Sequence, residues 1–326
     1  MADFLADPIC GPGGGFLTPP LVIGLVNSMP GEAFGQTERQ FRTILSAAAR
    51  GRPVHLRLFS LDPPAPVGGD TATSLYQHAR KIDPFVLDGL IVTGMPPRAS
   101  RLVEEPCWEH LTALADLAMA HGIPTVWSCL AAHAAVLYLD GIERQRLPEK
   151  LSGLFACTQT DGDAPITAGL PRHWHVPHSR YNDLPAKALV ARDYRILSSS
   201  DDAGADLFAK DAGAPFVFCQ GHPEYDALAL LREYRRDIRQ YLTGARDPYP
   251  AMPQSYFSPG VTALLEAFRE RALGVRTAET MADFPLDACE ADLAHSWSGL
   301  AHAIYANWLT LVAERKACRS TVVRAA

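Results

Sequence analysis

The chain has 326 residues, 48% hydrophobic and 20% charged, with a net charge of −6. That length buries a sizeable core as one large domain, and the balance is ordinary for a soluble globular protein. The acidic surplus excludes a global basic field for nucleic acid or anionic membrane, although local Arg clusters remain able to hold small anions.

Residues 1–20 are rich in Gly and Pro and read as a flexible arm. They lack the basic and apolar regions of a secretion signal, and no run reaches the roughly 20 apolar residues of a membrane span. Leu21 to Val26 is a β-type apolar run ending at Asn27-Ser28-Met29-Pro30. A helix follows, with Thr37 and Glu38 near its start and Phe41, Ile44 and Leu45 on one face. Val54 to Phe59 alternates like a strand, and Phe85 to Thr93 reads as a buried strand entering a loop at Gly94 to Arg98. Trp108 to Ala120 is predicted helical. Ile123 to Trp127 is a short apolar strand, and Leu130 to Leu139 a helix.

Strand and helix alternate here with near-continuous apolar strands, the pattern of a parallel sheet covered on both faces. Chemistry in such sheets sits at the carboxyl ends of the strands, where Asn27, the 94–98 loop and Cys129 all fall. The second half looks antiparallel, with short runs at Arg195–Ser198, Asp206–Ala209 and Pro215–Gln220 separated by Asp- and Gly-rich turns. Tyr225 to Leu242 is a long helix, 246–259 a Pro/Tyr-rich linker or surface wrap, Val261 to Ala272 a helix, and His295 to Glu314 a terminal helix.

The seven cysteines, at 10, 107, 129, 157, 219, 289 and 318, contain no CxxC pair. That argues against a disulfide framework and against a zinc site, and fits reduced thiols in a cytoplasmic protein. Cys129 stands where a strand must turn into a helix. Its side chain projects from a tight corner, and the next backbone N–H groups open a helix whose field favours a thiolate and can hold an oxyanion. The alternative is a buried core cysteine. Further on, Pro223 biases His222 toward an extended conformation, so His222 and Glu224, two apart, point the same way. Glu224 can then accept from one ring nitrogen while the other takes a proton from a nucleophile. A Cys at one strand end and a His–Glu pair at another are the parts of a nucleophilic triad. Taken singly, His222 also reads as a turn histidine and Glu224 as a first-turn helix carboxylate.

Six ordered segments carry a resemblance: LVNSMPGEAFGQTERQF (25–41), DGLIVTGMP (88–96), LPEKLSGLF (147–155), VPHSRYND (176–183), FCQGHPEYDALALLREYRRD (218–237) and SWSGLAHAIYANWL (296–309). The chain resembles the homoserine O-acyltransferase family of methionine biosynthesis, also called homoserine transsuccinylases, over about residues 20–310. The family's core is similar to that of class I glutamine amidotransferases. The resemblance implies a flavodoxin-like α/β fold: a parallel sheet sandwiched by helices, with an antiparallel extension and C-terminal helices. One acyltransferase domain would span 21–316, followed by a tail over 317–326.

By resemblance, Cys129 matches the nucleophile that carries the acyl group as a thioester, His222 the general base and Glu224 its orienting partner. Lys150, Ser179 and Arg236 match substrate-contacting positions, with Arg180 beside them and Glu233 sharing a helix face with Arg236. Backbone N–H groups of about Leu130 and Met95 would form the oxyanion hole. Arg98 falls at a position associated with the choice of acyl group, where it can pair with the free carboxylate of a succinyl group; it also reads as a solvated loop arginine. The implied reaction is ping-pong acylation of the homoserine hydroxyl in methionine biosynthesis, from succinyl-CoA slightly ahead of acetyl-CoA, with no bound cofactor and no metal. L-Homoserine and the acyl-CoA would be the partners, with no nucleic acid or membrane, in a homodimer whose candidate contacts are the aromatic terminal helix and the 246–259 passage.

Several positions depart from the family pattern. The nucleophile segment reads Cys129-Leu130-Ala131-Ala132-His133 where the family has Cys-Trp-Gly-Ala-Gln, so Ala131 puts a β-carbon beside the oxyanion turn. Gly31-Glu32 stands where a Lys is usual, and Ser298 and Leu300 replace an Arg and a His. These departures keep two alternatives open: the same chemistry on serine or another hydroxy-amino acid, and a retired fold reused as a binding module. A glutaminase is disfavoured, since no synthetase domain is evident.

Overall fold

A computed structural model describes residues 19–62 and 75–325, the side chains only as far as Arg319. Most of the expected arm and Cys10 lie outside the described residues. The strands are β1 (Leu21–Val26), β2 (Val54–Ser60), β3 (Gln77–His78), β4 (Gly89–Val92), β5 (Thr125–Ser128), β6 (Gln145–Gln159), β7 (His173–Asp183), β8 (Arg195–Ser200), β9 (Gly204–Asp211) and β10 (Pro215–Cys219). The helices are α1 (Glu32–Ala48), α2 (Trp108–Ala120), α3 (Leu130–Asp140), α4 (Ala186–Val190), α5 (Ala229–Leu242), α6 (Pro259–Gly274), α7 (Leu286–Asp292) and α8 (Ser298–Ala325).

The strands form one sheet in the order β3-β2-β1-β4-β5-β10-β9-β8-β6-β7. From β3 to β10 every pairing is parallel; from β10 to β7 every pairing is antiparallel. Strand β10 is the junction. The parallel strands are short and buried on both faces, as their apolar runs require. Leu21, Ile23 and Leu25 pack on one face with Phe41 of α1 and Tyr305 and Trp308 of α8, whereas Leu90, Val92 and Trp127 pack on the other with Leu111 of α2 and the alanines of α3. A third cluster joins α5, α6 and α7 through Tyr234, Ile238, Leu265 and Phe268.

Four expectations need correction. The run from Phe85 becomes strand only at Gly89: residues 84–86 form a turn, with the Val86 amide on the Asp83 carbonyl at 3.3 Å. Asp88 donates its amide to the Val22 carbonyl at 2.8 Å, while its carboxylate accepts the Val22 amide at 2.9 Å and pairs with Lys316 and Arg319. Helix α1 starts at Glu32, well before Thr37. The tail expected over 317–326 is instead the last part of α8, helical to Ala325. The aromatic residues of the terminal helix offered as dimer contacts pack inward, with Trp297, Tyr305 and Trp308 at most 2% exposed. The 246–259 passage pairs with β6 at Gly153 through Gln254 and leaves Asp247, Pro248, Ala251 and Ser255 exposed.

Candidate active site

Strands β1, β4, β5 and β10 run parallel, so their carboxyl ends share one edge, and Asn27, the 94–98 loop, Cys129 and Gly221-His222 gather there. Strand β5 aligns with β10 so that Ser128 faces Cys219. One further hydrogen bond, from the Cys129 amide to the Cys219 carbonyl at 2.8 Å, anchors the corner. Cys129 then takes φ 49° and ψ −115°, a strained conformation for a residue with a β-carbon, costing on the order of 1–3 kcal/mol. The strain turns the chain at once into α3, whose first amide, Leu130, has no helical acceptor before it. Ala131 is buried in that first turn, which accommodates its β-carbon.

Three residues beyond the end of β10, the neighbouring strand, comes His222. His222 donates its amide to the Pro177 carbonyl at 2.7 Å, and its Nδ1 lies 2.9 Å from Glu224 Oε1. The Cys129 thiol lines the same cavity and is close enough to act on the imidazole. Burial favours the neutral imidazole, but the Glu224 carboxylate and the Cys129 sulfur outweigh it and raise the His222 pKa well above its ordinary value. Ser128 Oγ donates to Glu224 Oε1 at 3.3 Å, and the Tyr225 ring stacks on the imidazole at 4.2 Å. Behind Gly221 lie Asp206 and His178, 3.3 Å apart; a β-carbon at Gly221 would come 2.5 Å from Asp206 Oδ1. The strand therefore packs flush against this pair.

Beside the triad, a charged cluster joins β6, β7 and α5. Lys150 Nζ donates to Glu233 Oε2 at 2.9 Å and Asp237 Oδ2 at 3.1 Å; Ser179 donates to Glu233 Oε2, and Tyr225 to Glu233 Oε1 at 2.6 Å. Burial raises the Glu233 pKa, yet Lys150 and Arg236 with the two hydroxyls hold it down at about 2. Arg236 is bidentate on Asp237 at 2.8 and 2.9 Å and lies 4.0 Å from Glu233, so the two share a face as expected. Lys150, Ser179, Glu233 and Arg236, far apart in sequence, thus meet.

Cys129, Lys150, Ser179, His222, Glu224, Tyr225, Glu233 and Arg236 line one cavity of about 410 Å³, together with Gly94, Met95 and Leu130. Two expected residues differ. Arg98 is exposed and outside the lining, its amide held by Glu105 at 3.0 and 3.1 Å. Arg180 reaches the lining, but its guanidinium is buried in bonds to the Asn182 and Ala203 carbonyls and to Asp183, which makes it a support of the wall. His133 resolves as a packed helix histidine: its Nε2 is 2.9 Å from Gln220 Oε1, and burial lowers its pKa to about 3. Three contributors went unnoticed from sequence: Ser128 precedes the expected Cys129, Tyr225 follows Glu224 directly, and Arg144 lies in a turn with no motif around it.

A family model described as homoserine O-succinyltransferase matches residues 18–318. A Methylorubrum extorquens protein described as homoserine O-succinyltransferase is 47% identical over 299 residues, 91% of this chain and 88% of its own. A Rhodopseudomonas palustris protein of the same description is 46% identical over 293 residues, 89% of this chain and 88% of its own. A solved glutamine amidotransferase from Methylobacillus flagellatus shares the fold, with a TM-score of 0.51 at 17% identity over 90% of this chain and 95% of its own. This chain belongs to the homoserine O-succinyltransferase family.

Proposed function

We propose that this chain transfers the succinyl group of succinyl-CoA to the hydroxyl of L-homoserine, through a thioester on Cys129, as a step of methionine biosynthesis in the cytoplasm. The observation that supports the mechanism is that His222, bonded through Nδ1 to Glu224, shares one cavity lining with Cys129, whose sulfur acts on the imidazole. His222 takes the thiol proton, and the thiolate attacks the thioester carbonyl of the donor. The Leu130 and Met95 amides hold the developing oxyanion; the bond to the CoA sulfur breaks, and the leaving thiolate takes the proton back from the imidazolium. In the second half His222 removes the homoserine hydroxyl proton, the alkoxide attacks the acyl-enzyme, and the Cys129 sulfur leaves and is reprotonated. Glu224 holds the imidazole in the required tautomer throughout.

Lys150, Ser179, Glu233 and Arg236 suit a zwitterionic amino acid, with the ammonium near Glu233 and the carboxylate at Arg236. Arg235 and Arg239, farther along the same wall of α5, suit the phosphates of CoA. Among the described residues no helix is long and apolar enough to cross a membrane. A matrix of succinyl-CoA and acetyl-CoA against homoserine and serine tests the reading: the largest kcat/KM is expected for succinyl-CoA with homoserine, and a clear preference for serine overturns the acceptor assignment.

A further inference from the structure

A succinyl group differs from an acetyl group by a free carboxylate, so preference for it requires a cation where the acyl chain ends. Arg98 does not reach the cavity. We propose that Arg144 binds the free carboxylate of the acyl donor, an assignment that rests on the acyl-transfer reading above. Arg144 stands in the turn between α3 and β6, lines the cavity, and has a side chain only 5% exposed. It is close enough to Cys129 for a charge on the sulfur to act on its guanidinium.

Its anchoring is one-sided. Nη2 donates to the Ala99 carbonyl at 3.1 Å and the Ser100 carbonyl at 3.3 Å, and the same nitrogen is ion-paired with the Glu105 carboxylate at 3.6 Å. Glu105 is already occupied by the amides of Arg98 and Ala99. Nε of Arg144 is buried and has no acceptor. Nε of Arg232 and of Arg235, in the same lining on α5, are open in the same way. Buried donors of this kind are normally satisfied, so a cavity wall that leaves them open calls for acceptors brought by the ligand. Of the other cations in the lining, Lys150 is committed to Glu233 and Asp237, Arg180 to carbonyls and Asp183, and Arg232 to Asp226, while the half-exposed Arg236 is the one given to the acceptor above. The acyl carboxylate and the acceptor carboxylate therefore meet different arginines.

The first half-reaction tests this without any acceptor: acyl-enzyme formation from succinyl-CoA and from acetyl-CoA, by rapid quench and intact mass. In Arg144→Met the succinyl-over-acetyl rate ratio is expected to narrow by about 10- to 100-fold. Arg144→Lys, a point charge without the planar fork, is expected to narrow it less, and Arg98→Ala to leave it unchanged. An unchanged ratio in Arg144→Met, with both rates falling together, makes the residue structural and overturns the proposal. Should that variant fail to fold by circular dichroism, Arg144→Lys decides by the same ratio. Failure of the acceptor assignment looks different: a normal acyl-enzyme that homoserine does not discharge leaves the ratio readable. A wild type that acylates faster from acetyl-CoA overturns the carboxylate subsite.

Discussion

Gly94 lies so close to Cys129 that a β-carbon on it would come within 2.9 Å of the cysteine β-carbon, and within 3.3 Å of the Leu130 nitrogen. The space above the nucleophile corner exists because this residue has no side chain. Gly94→Ala is therefore expected to lower kcat by about 10²–10³-fold, the cost of disturbing an oxyanion donor, in steady-state assays with succinyl-CoA and homoserine. A variant within threefold of wild type would remove the 94–95 loop from the oxyanion hole.

Cys129→Ala is expected to abolish the acyl-enzyme seen by intact mass and to cost at least about 10³-fold in turnover. A complementary readout is thiol labelling. Cys107, Cys157, Cys219 and Cys289 are buried, and burial raises the pKa of each, so a short iodoacetamide pulse should label Cys129 and the exposed Cys318 and spare those four.

Glu224→Gln keeps the shape but removes the charge that favours protonated His222. The imidazole titration, followed by NMR of its ring nitrogens, should move to lower pH, because the lost anion stabilised the charged form. Turnover should fall by roughly 10²–10⁴-fold, since the tautomer is no longer enforced. An unmoved titration would mean that Glu224 does not act on His222.

Glu233 gives an acid-side prediction. Its folded pKa, about 2, lies below its ordinary value of 4.5, so its ion pairs contribute stability above about pH 4.5 that is lost as pH falls toward 2. Urea midpoints for wild type should drop from pH 5.5 to pH 3.5 more steeply than for Glu233→Gln, which lacks that titration. Parallel slopes would contradict the assignment.

The parallel half of the fold was legible because its strands are apolar runs buried on both faces, and the Cys-to-helix corner and the His-Pro-Glu spacing are local backbone facts. The β6–β7 hairpin was not legible as strand. Glu149 and Lys150 are polar where a core strand would be apolar, because that stretch builds the charged cluster around Glu233. Its residues were found only through resemblance. The choice between Arg98 and Arg144 was illegible for another reason: the 94–105 loop has no periodicity, and its direction is set by Glu105 gathering two of its amides, a contact that spacing does not announce.

Strand β10 belongs to two neighbourhoods, hydrogen-bonded in parallel to the strand that presents the sulfur and antiparallel to the sheet that carries Lys150 and Ser179. The ribbon Gln145–Asp183 therefore serves both neighbourhoods, since Pro177 also accepts the His222 amide while Lys150 and Ser179 meet Glu233 of α5. A chimera that exchanges this ribbon for a relative's must keep the Pro177 carbonyl in register, or the imidazole moves with the graft.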